Sequence, residues 1–126
     1  MKLRIKGNSL RLRLTRSEVS DFARTGICAE TAFFGPKGDD RLAYSVERTD
    51  DNNISASFGD RVLTIYVPGS IADDWPTSDT VGIEDTVSIG ANGELHVLIE
   101  KDFVCLTRDD EDPSEHYPHP NPNACR

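Results

Sequence analysis

The chain repeats one pattern of apolar and polar residues after 53 positions, and this repeat constrains the fold more than any other feature of the sequence. Without a gap, that shift places two hairpin-like segments, two helix-like segments and two closing strands on one another. The matched pairs are Leu10/Leu63, Leu12/Ile65, Leu14/Val67, Thr15/Pro68, Val19/Ala72, Phe22/Trp75, Leu42/Leu95, Val46/Ile99 and Glu47/Glu100, and Ile5 falls on Phe58. A unit of about 48 residues is marginally stable alone. The repeat therefore predicts two units that share one core about a pseudo-twofold axis.

Alternation of apolar and charged residues predicts the strands of each unit. Leu3 and Ile5 alternate with cations, and after the turn residues 7–9 the apolar positions 10, 12 and 14 alternate with Arg11 and Arg13. Period two with one apolar side indicates a half-buried hairpin whose five interior cations share its outer face. Further strands are predicted over residues 27–34, 41–48, 54–58, 62–67, 80–89 and 95–100, with a last short one over 104–106.

Two short helices are predicted between the strands. Thr15 and Glu18 form a capping-box pattern at the start of the first, and Gly26 is placed to end it. Pro68 suits the first turn of the second, which is expected to end near residues 75–76. The sequence thus predicts one α+β domain, mostly antiparallel β, over residues 1–106. It consists of repeats 2–48 and 55–101 plus a short closing strand, and an acidic, proline-rich tail follows over 107–126.

Composition excludes several classes of protein. The longest apolar run is far below the 18–20 residues that a membrane span needs, so no membrane contact is expected. The alternating charges of residues 1–6 lack the continuous apolar stretch of an export signal. Three cysteines cannot all pair, and none lies in a CxxC motif, so a reduced, cytoplasmic setting is predicted rather than a disulfide scaffold.

Charge is distributed unevenly along the chain. The net charge is −8, yet residues 1–48 hold ten basic against six acidic residues, and residues 49–126 hold four against sixteen. The basic hairpin admits two interpretations. Lysine and arginine bind polyanions by releasing counterions from phosphates. Alternatively, the acidic half of the same chain neutralises them.

Residues 6–15, Lys-Gly-Asn-Ser-Leu-Arg-Leu-Arg-Leu-Thr, resemble the start of MazE-type antitoxins of the AbrB/SpoVT superfamily. The second unit is similar in its strand 62–67, in Pro68, in the turn 78–81 and in the closing strand 95–100. The resemblance implies a single-chain, pseudo-dimeric swapped-hairpin β-barrel, because relatives interleave the hairpins of two chains. It also implies double-stranded DNA as the partner of the N-terminal hairpin, read through base edges and phosphates. The residues carried over or adjoining the motif are Lys2, Arg4, Lys6, Asn8, Arg11 and Arg13.

The second unit departs from that pattern. Residues 54–101 contain two basic and eight acidic residues, and Gly59-Asp60-Arg61 replaces the basic turn. An alternative is therefore a degenerate module of the same fold that does not bind DNA and binds a protein partner. Relatives hold their toxins through acidic tails, so the acidic run 109–112 is a candidate for such a contact or for covering the basic hairpin. Either a monomer or a homodimer is compatible with the sequence.

Other chemistry is sparse. Cys105, His116, His119 and Cys125 offer the sulfur and nitrogen ligands that zinc prefers, although their spacing matches no standard finger and a tail with incidental ligands is the simpler interpretation. His96 is expected at the surface, and Cys28 is expected to be a buried, inert thiol. Phosphate loops, nucleophile elbows and zinc-protease motifs are lacking, so neither catalysis nor a cofactor is predicted.

Overall fold

The computed structural model describes residues 1–103, so the predicted strand 104–106, the acidic tail and the four proposed zinc ligands lie outside the described residues. The described chain is α+β, as predicted, and contains two four-stranded sheets. Its elements are β1 (Lys2–Lys6), β2 (Ser9–Leu14), α1 (Arg16–Thr25), β3 (Ile27–Phe33), β4 (Arg41–Thr49), β5 (Ser55–Gly59), β6 (Val62–Pro68), α2 (Gly69–Ala72), β7 (Gly82–Ser88) and β8 (Glu94–Lys101). Short 3-10 turns follow at Trp75–Thr77 and Gly90–Asn92.

Each sheet takes one hairpin from each half of the chain. The first sheet has the order β1-β2-β8-β7 and the second β3-β4-β6-β5. Within each hairpin the strands are antiparallel, whereas β2 runs parallel to β8 and β4 parallel to β6. The sheets are therefore mixed rather than wholly antiparallel. All four hairpin turns lie at one end of the molecule, the turn end, and both α-helices lie at the other, the helix end.

The two central ladders correspond to one another residue by residue. Leu12 pairs with Ile99 in the first sheet, and Ile65 pairs with Val46 in the second, each 53 positions from its counterpart. The β1–β2 and β5–β6 ladders correspond in the same way. The constant shift does not extend to β3 and β7, whose pairings correspond after 55 positions. The second half has a longer connection there, because α2 is followed by a 3-10 turn and an extended segment before β7 begins.

The sheets do not close into the barrel that the sequence predicted. Within residues 1–103 each sheet ends in an edge strand on both sides, β1 and β7 in the first and β3 and β5 in the second. The chain terminus bridges the two sheets on one side. The phenolic oxygen of Tyr44 on β4 donates to the carbonyl oxygen of Met1, 3.1 Å away.

The core lies between the sheets and reaches the helices. Leu12, Leu14, Val46, Ile65, Val67 and Ile99 are completely buried. At the helix end, Phe22 of α1 packs edge-on against Trp75, with ring centroids 6.5 Å apart. These two residues are 53 positions apart, and Lys101 lies 5.5 Å from the Trp75 ring, an arrangement suited to a cation–π contact. Equivalent residues in direct contact are expected where a twofold relation brings two halves together.

The first helix follows its sequence signals, and the second is shorter than expected. Thr15 and Glu18 form the predicted capping box, and Gly26 ends α1 with a φ of 80°. Pro68 precedes α2, but that helix ends at Ala72 and a separate turn begins at Trp75. Pro76 has no N–H group to donate, and it lies in the first positions of that 3-10 turn. Neither α-helix of the described chain has the length and apolar character needed to cross a membrane.

Candidate nucleic-acid interface

The five cations of the first hairpin lie on one face of the first sheet. Lys2 stands directly opposite Arg13 across the β1–β2 ladder, and Arg4 stands opposite Arg11. Lys6 extends the same row to the turn end. Alternation places Leu3, Leu10 and Leu12 on the opposite, inner face, where the last two are buried. We call this group of Lys2, Arg4, Lys6, Arg11 and Arg13 the basic face.

Glu100 of β8 joins the basic face because β8 runs beside β2. It is directly opposite Arg13, and its Oε1 is 2.8 Å from Arg13 Nη2 and 2.9 Å from Arg13 Nε. Arg11 Nε lies 3.6 Å from the same oxygen. All three side chains are about three-quarters buried or more. Glu100 was predicted to lie on a closing strand, but its contact with Arg13 was not, since the parallel pairing joins residues 87 positions apart.

The edge strand β1 carries the more exposed part of the basic face. Lys2, Arg4 and Lys6 are all exposed. Lys2 Nζ is 3.9 Å from a carboxylate oxygen of Asp102, which follows β8. Glu100 and Asp102 therefore lie at the helix end of the basic face, and the row of cations extends from there to the turn end.

Asn8, predicted to contact a base edge, is hydrogen-bonded to β8. Its side-chain Nδ2 donates to the carbonyl oxygen of Glu94 at 2.8 Å, and its own carbonyl accepts the N–H of His96 at 3.0 Å. The residue is exposed, but its amide fixes the hairpin turn. His96 also lies at the surface, as predicted, and its Nδ1 is 3.0 Å from the hydroxyl of Thr86.

The start of β1 is fixed by ionic contacts. The Met1 amine donates to Glu18 on α1 and, at 2.6 Å, to Glu30 on β3. Burial alone would lower the pKa of that amine, but the two hydrogen bonds outweigh it and raise the pKa. Burial alone would likewise raise the pKa of Glu18, whereas the bonds from Met1 and from the backbone and hydroxyl of Thr15 lower it to about 2.

The corresponding face of the second hairpin has no charge. The positions equivalent to the five cations are Ser55, Ser57, Gly59, Thr64 and Tyr66. Ser57 and Tyr66 share a hydrogen bond of 3.3 Å, and buried Thr64 bonds to Ser45 of β4 at 3.2 Å. The structure thus places the predicted DNA-binding residues on one hairpin only.

The remaining candidates for a chemical site within residues 1–103 are Cys28 and the side chains that could bind a metal ion. Cys28 is buried and free, and burial raises the pKa of its thiol, which disfavours the reactive thiolate. Among residues 1–103, no group of three His, Cys, Asp or Glu side chains is arranged to hold a metal ion.

One protein family, described as a family of unknown function (DUF7009), matches residues 1–121. No curated protein and no solved structure matches the chain.

Proposed function

The chain belongs to the DUF7009 family, whose function is unknown, and from its geometry we propose that it is a non-catalytic, DNA-binding protein of regulatory or antitoxin-like type. The proposed architecture is a single-chain pseudo-dimer of swapped hairpins, related to the AbrB and MazE proteins. Three observations support that architecture: the exchange of hairpins between sheets, the residue-by-residue correspondence of the ladders, and the contact of Phe22 with Trp75.

The placement of like charges on the basic face carries the functional proposal. Two cation pairs stand directly opposite one another across the β1–β2 ladder. Like charges in that position repel one another, and the carboxylates of Glu100 and Asp102 bring negative charge to one end of the face. A row of phosphates would bring negative charge along its whole length. Successive side chains on one face of a strand are about 6.6–6.8 Å apart, so the face is regular enough to follow a nucleic-acid backbone.

Two pairs of substitutions test the proposal, with labelled duplex from the gene's own upstream region compared with random duplex at two salt concentrations. Lys2→Ala/Lys6→Ala removes two exposed cations and leaves Glu100 untouched. Arg11→Ala/Arg13→Ala removes the two arginines that Glu100 binds. Each variant is expected to weaken binding and to reduce the slope of log K against log salt by about 2.

The matched control is Arg24→Ala/Lys37→Ala, which changes the net charge equally but away from the basic face. It should retain the affinity and salt slope of the unmodified chain. An equal loss in the control would show a general charge effect and contradict the assignment to the hairpin. Absence of binding by the unmodified chain at low salt would contradict the proposed function itself.

A specific observation also favours the alternative, a protein-binding module. Four large apolar side chains near the turn end are mostly exposed: Ile5 by 59%, Phe33 by 64%, Phe34 by 74% and Phe58 by 70%. Large exposed apolar patches are typical of protein contacts. Pull-downs with the intact chain, with Phe34→Ser and without residues 107–126 separate the possibilities. A partner that ignores Lys2→Ala/Lys6→Ala but is lost with Phe34→Ser would favour this alternative.

A further inference from the structure

The four edge strands of the described chain differ in how they are protected against pairing with another strand. An unpaired edge presents N–H and C=O groups that can extend a sheet into a second molecule, and charged side chains oppose this. The strand β1 carries Lys2, Arg4 and Lys6, β7 carries Glu84 and Asp85, and β3 carries Glu30. The remaining edge, β5, has the sequence Ser-Ala-Ser-Phe-Gly and no charge.

The backbone of β5 is suited to accept another strand. Gly59 and Val62 flank a two-residue turn and are expected to form a hydrogen-bonded pair. Alternation along an antiparallel ladder then directs the N–H and C=O groups of Ala56 and Phe58 away from β6. Residues 57–59 are exposed, and the Phe58 side chain is 70% exposed.

We propose that β5 pairs in antiparallel orientation with β5 of a second copy of this chain, which joins the two second sheets into one eight-stranded sheet. The twofold axis of this pair passes beside Ser57, so Ser57 faces its own counterpart and Ala56 faces Phe58 of the other copy. Four backbone hydrogen bonds form, and each phenyl ring covers a small methyl group. The same pairing of β1 would place its cations against one another, which like-charge repulsion opposes.

A second copy is favoured because β5 carries no charge that would repel it, and because small Ala56 and large Phe58 lie on either side of Ser57. A symmetric contact uses the same patch on both molecules, so only an edge without like-charge conflict can form one. Among the four edges, β5 alone meets that condition. The contact is separate from the basic face, which lies on the other sheet, and does not depend on DNA binding.

Sedimentation equilibrium of the full chain over concentrations from about 10 µM to about 1 mM tests the proposal. The apparent mass is expected to rise from 13.9 kDa towards twice that value. Ser57→Lys and Ser57→Glu should each remain monomeric, because each places like charges directly opposite. An equimolar mixture of the two variants should regain the dimer, since Lys then faces Glu. Ser88→Lys, on the edge strand β7, is the matched control and should dimerise normally.

Amide hydrogen exchange of the unmodified chain gives a second readout that needs no substitution. The amides of Ala56 and Phe58 should exchange about tenfold more slowly at a concentration where the dimer is about 90% populated. The equivalent amides of Leu3 and Ile5 on β1 should show no concentration dependence. A chain that stays monomeric at about 1 mM, a Ser57→Lys variant that dimerises normally, or protection that appears on β1 instead would each overturn the proposal.

Discussion

The two hairpins β1–β2 and β5–β6 share a backbone plan and differ in nearly everything at their surfaces. Their ladders correspond residue by residue, and each lies beside a parallel strand from the other half of the chain. The first presents five cations, whereas the second presents serines, a glycine, a threonine and a tyrosine. The two hairpins thus keep apolar residues at equivalent inner positions, and the same fold accommodates either a charged or an uncharged outer face.

The largest expected effect tests whether the two halves contribute equally to the core. Leu12→Ala and Ile65→Ala remove equivalent side chains that are both completely buried. Each should lower the free energy of unfolding by about 2–5 kcal/mol, and the two losses should be similar. Urea unfolding measures both. A small loss for Ile65→Ala beside a large one for Leu12→Ala would show that the second half is loosely packed. Phe58→Ala, at an exposed position, serves as the control.

A second test uses an ionic contact that only the first half has. The position equivalent to Glu18 is Ile71, and the one equivalent to Met1 is the buried Ile54. Because the pKa of Glu18 falls to about 2 in the folded state, its contribution is present above pH 4.5 and is lost as the pH falls towards 2. The pKa of the Met1 amine is raised, so its contribution is present below pH 8 and is lost as the pH rises above its folded value.

Glu18→Gln should therefore remove about 1–2 kcal/mol near pH 7 and flatten the acid limb of the stability profile. Thermal unfolding between pH 2 and pH 10 measures the effect. Asp85→Asn, at the position equivalent to Glu30, is the control and should keep the acid limb. An unchanged acid limb in Glu18→Gln would contradict the assignment.

The two hairpin turns predict opposite responses to one substitution. Asp60 and Arg61 both have positive φ, 49° and 62°, which costs a residue such as arginine about 1 kcal/mol. Arg61→Gly should therefore raise the unfolding free energy by a few tenths of a kcal/mol, because relief of the positive φ exceeds the loss of the exposed ion pair with Asp39. Asn8→Gly, at the equivalent position, should lower it by a few tenths of a kcal/mol, because it removes the bond to Glu94. Equal signs in parallel urea titrations would contradict the comparison.

Glu100 on β8 and Glu47 on β4 are equivalent carboxylates in the two sheets. Glu100 binds two arginines, whereas Glu47 stands opposite Tyr66. Glu100→Gln should release the arginines and tighten duplex binding about fivefold, the equivalent of roughly 1 kcal/mol. Glu47→Gln should leave duplex binding unchanged. Weaker binding in Glu100→Gln would indicate that the carboxylate positions the arginines instead of competing for them.

The smallest effect concerns an ion pair at the helix end. Arg48 holds Asp73 through two bonds of 3.0 Å, at the position where the other half has Lys101 over Trp75. Hydrogen bonding and charge from Arg48 lower the pKa of Asp73, but both groups are exposed. Asp73→Asn should reduce the melting temperature slightly at low salt and not at high salt. Asp74→Asn should have no effect at either salt concentration.

Local sequence signals predicted the elements well and their partners poorly. The capping box at Thr15 and the alternation in β1 and β2 depend on neighbouring residues, so both were readable. The second helix ends at Ala72, four residues before Pro76, which had marked its expected end. The shared contact of Arg11 and Arg13 with Glu100 depends on β2 lying beside β8, which no local pattern specifies. The bond from Asn8 to Glu94 likewise depends on β8 lying beside the hairpin turn, so no local pattern indicated it.

The exchange of hairpins has a consequence for how the chain acquires its structure. Leu12 pairs with Ile99, which lies 87 positions later in the chain, and Val46 cannot complete its ladder until Ile65 has been synthesised. Long separations between contacting residues slow folding. During synthesis, the first half therefore emerges with two incomplete sheets, whose inner strands β2 and β4 are uncovered until the second half follows. During that interval the growing chain exposes unpaired strand edges, which promote aggregation and bind chaperones.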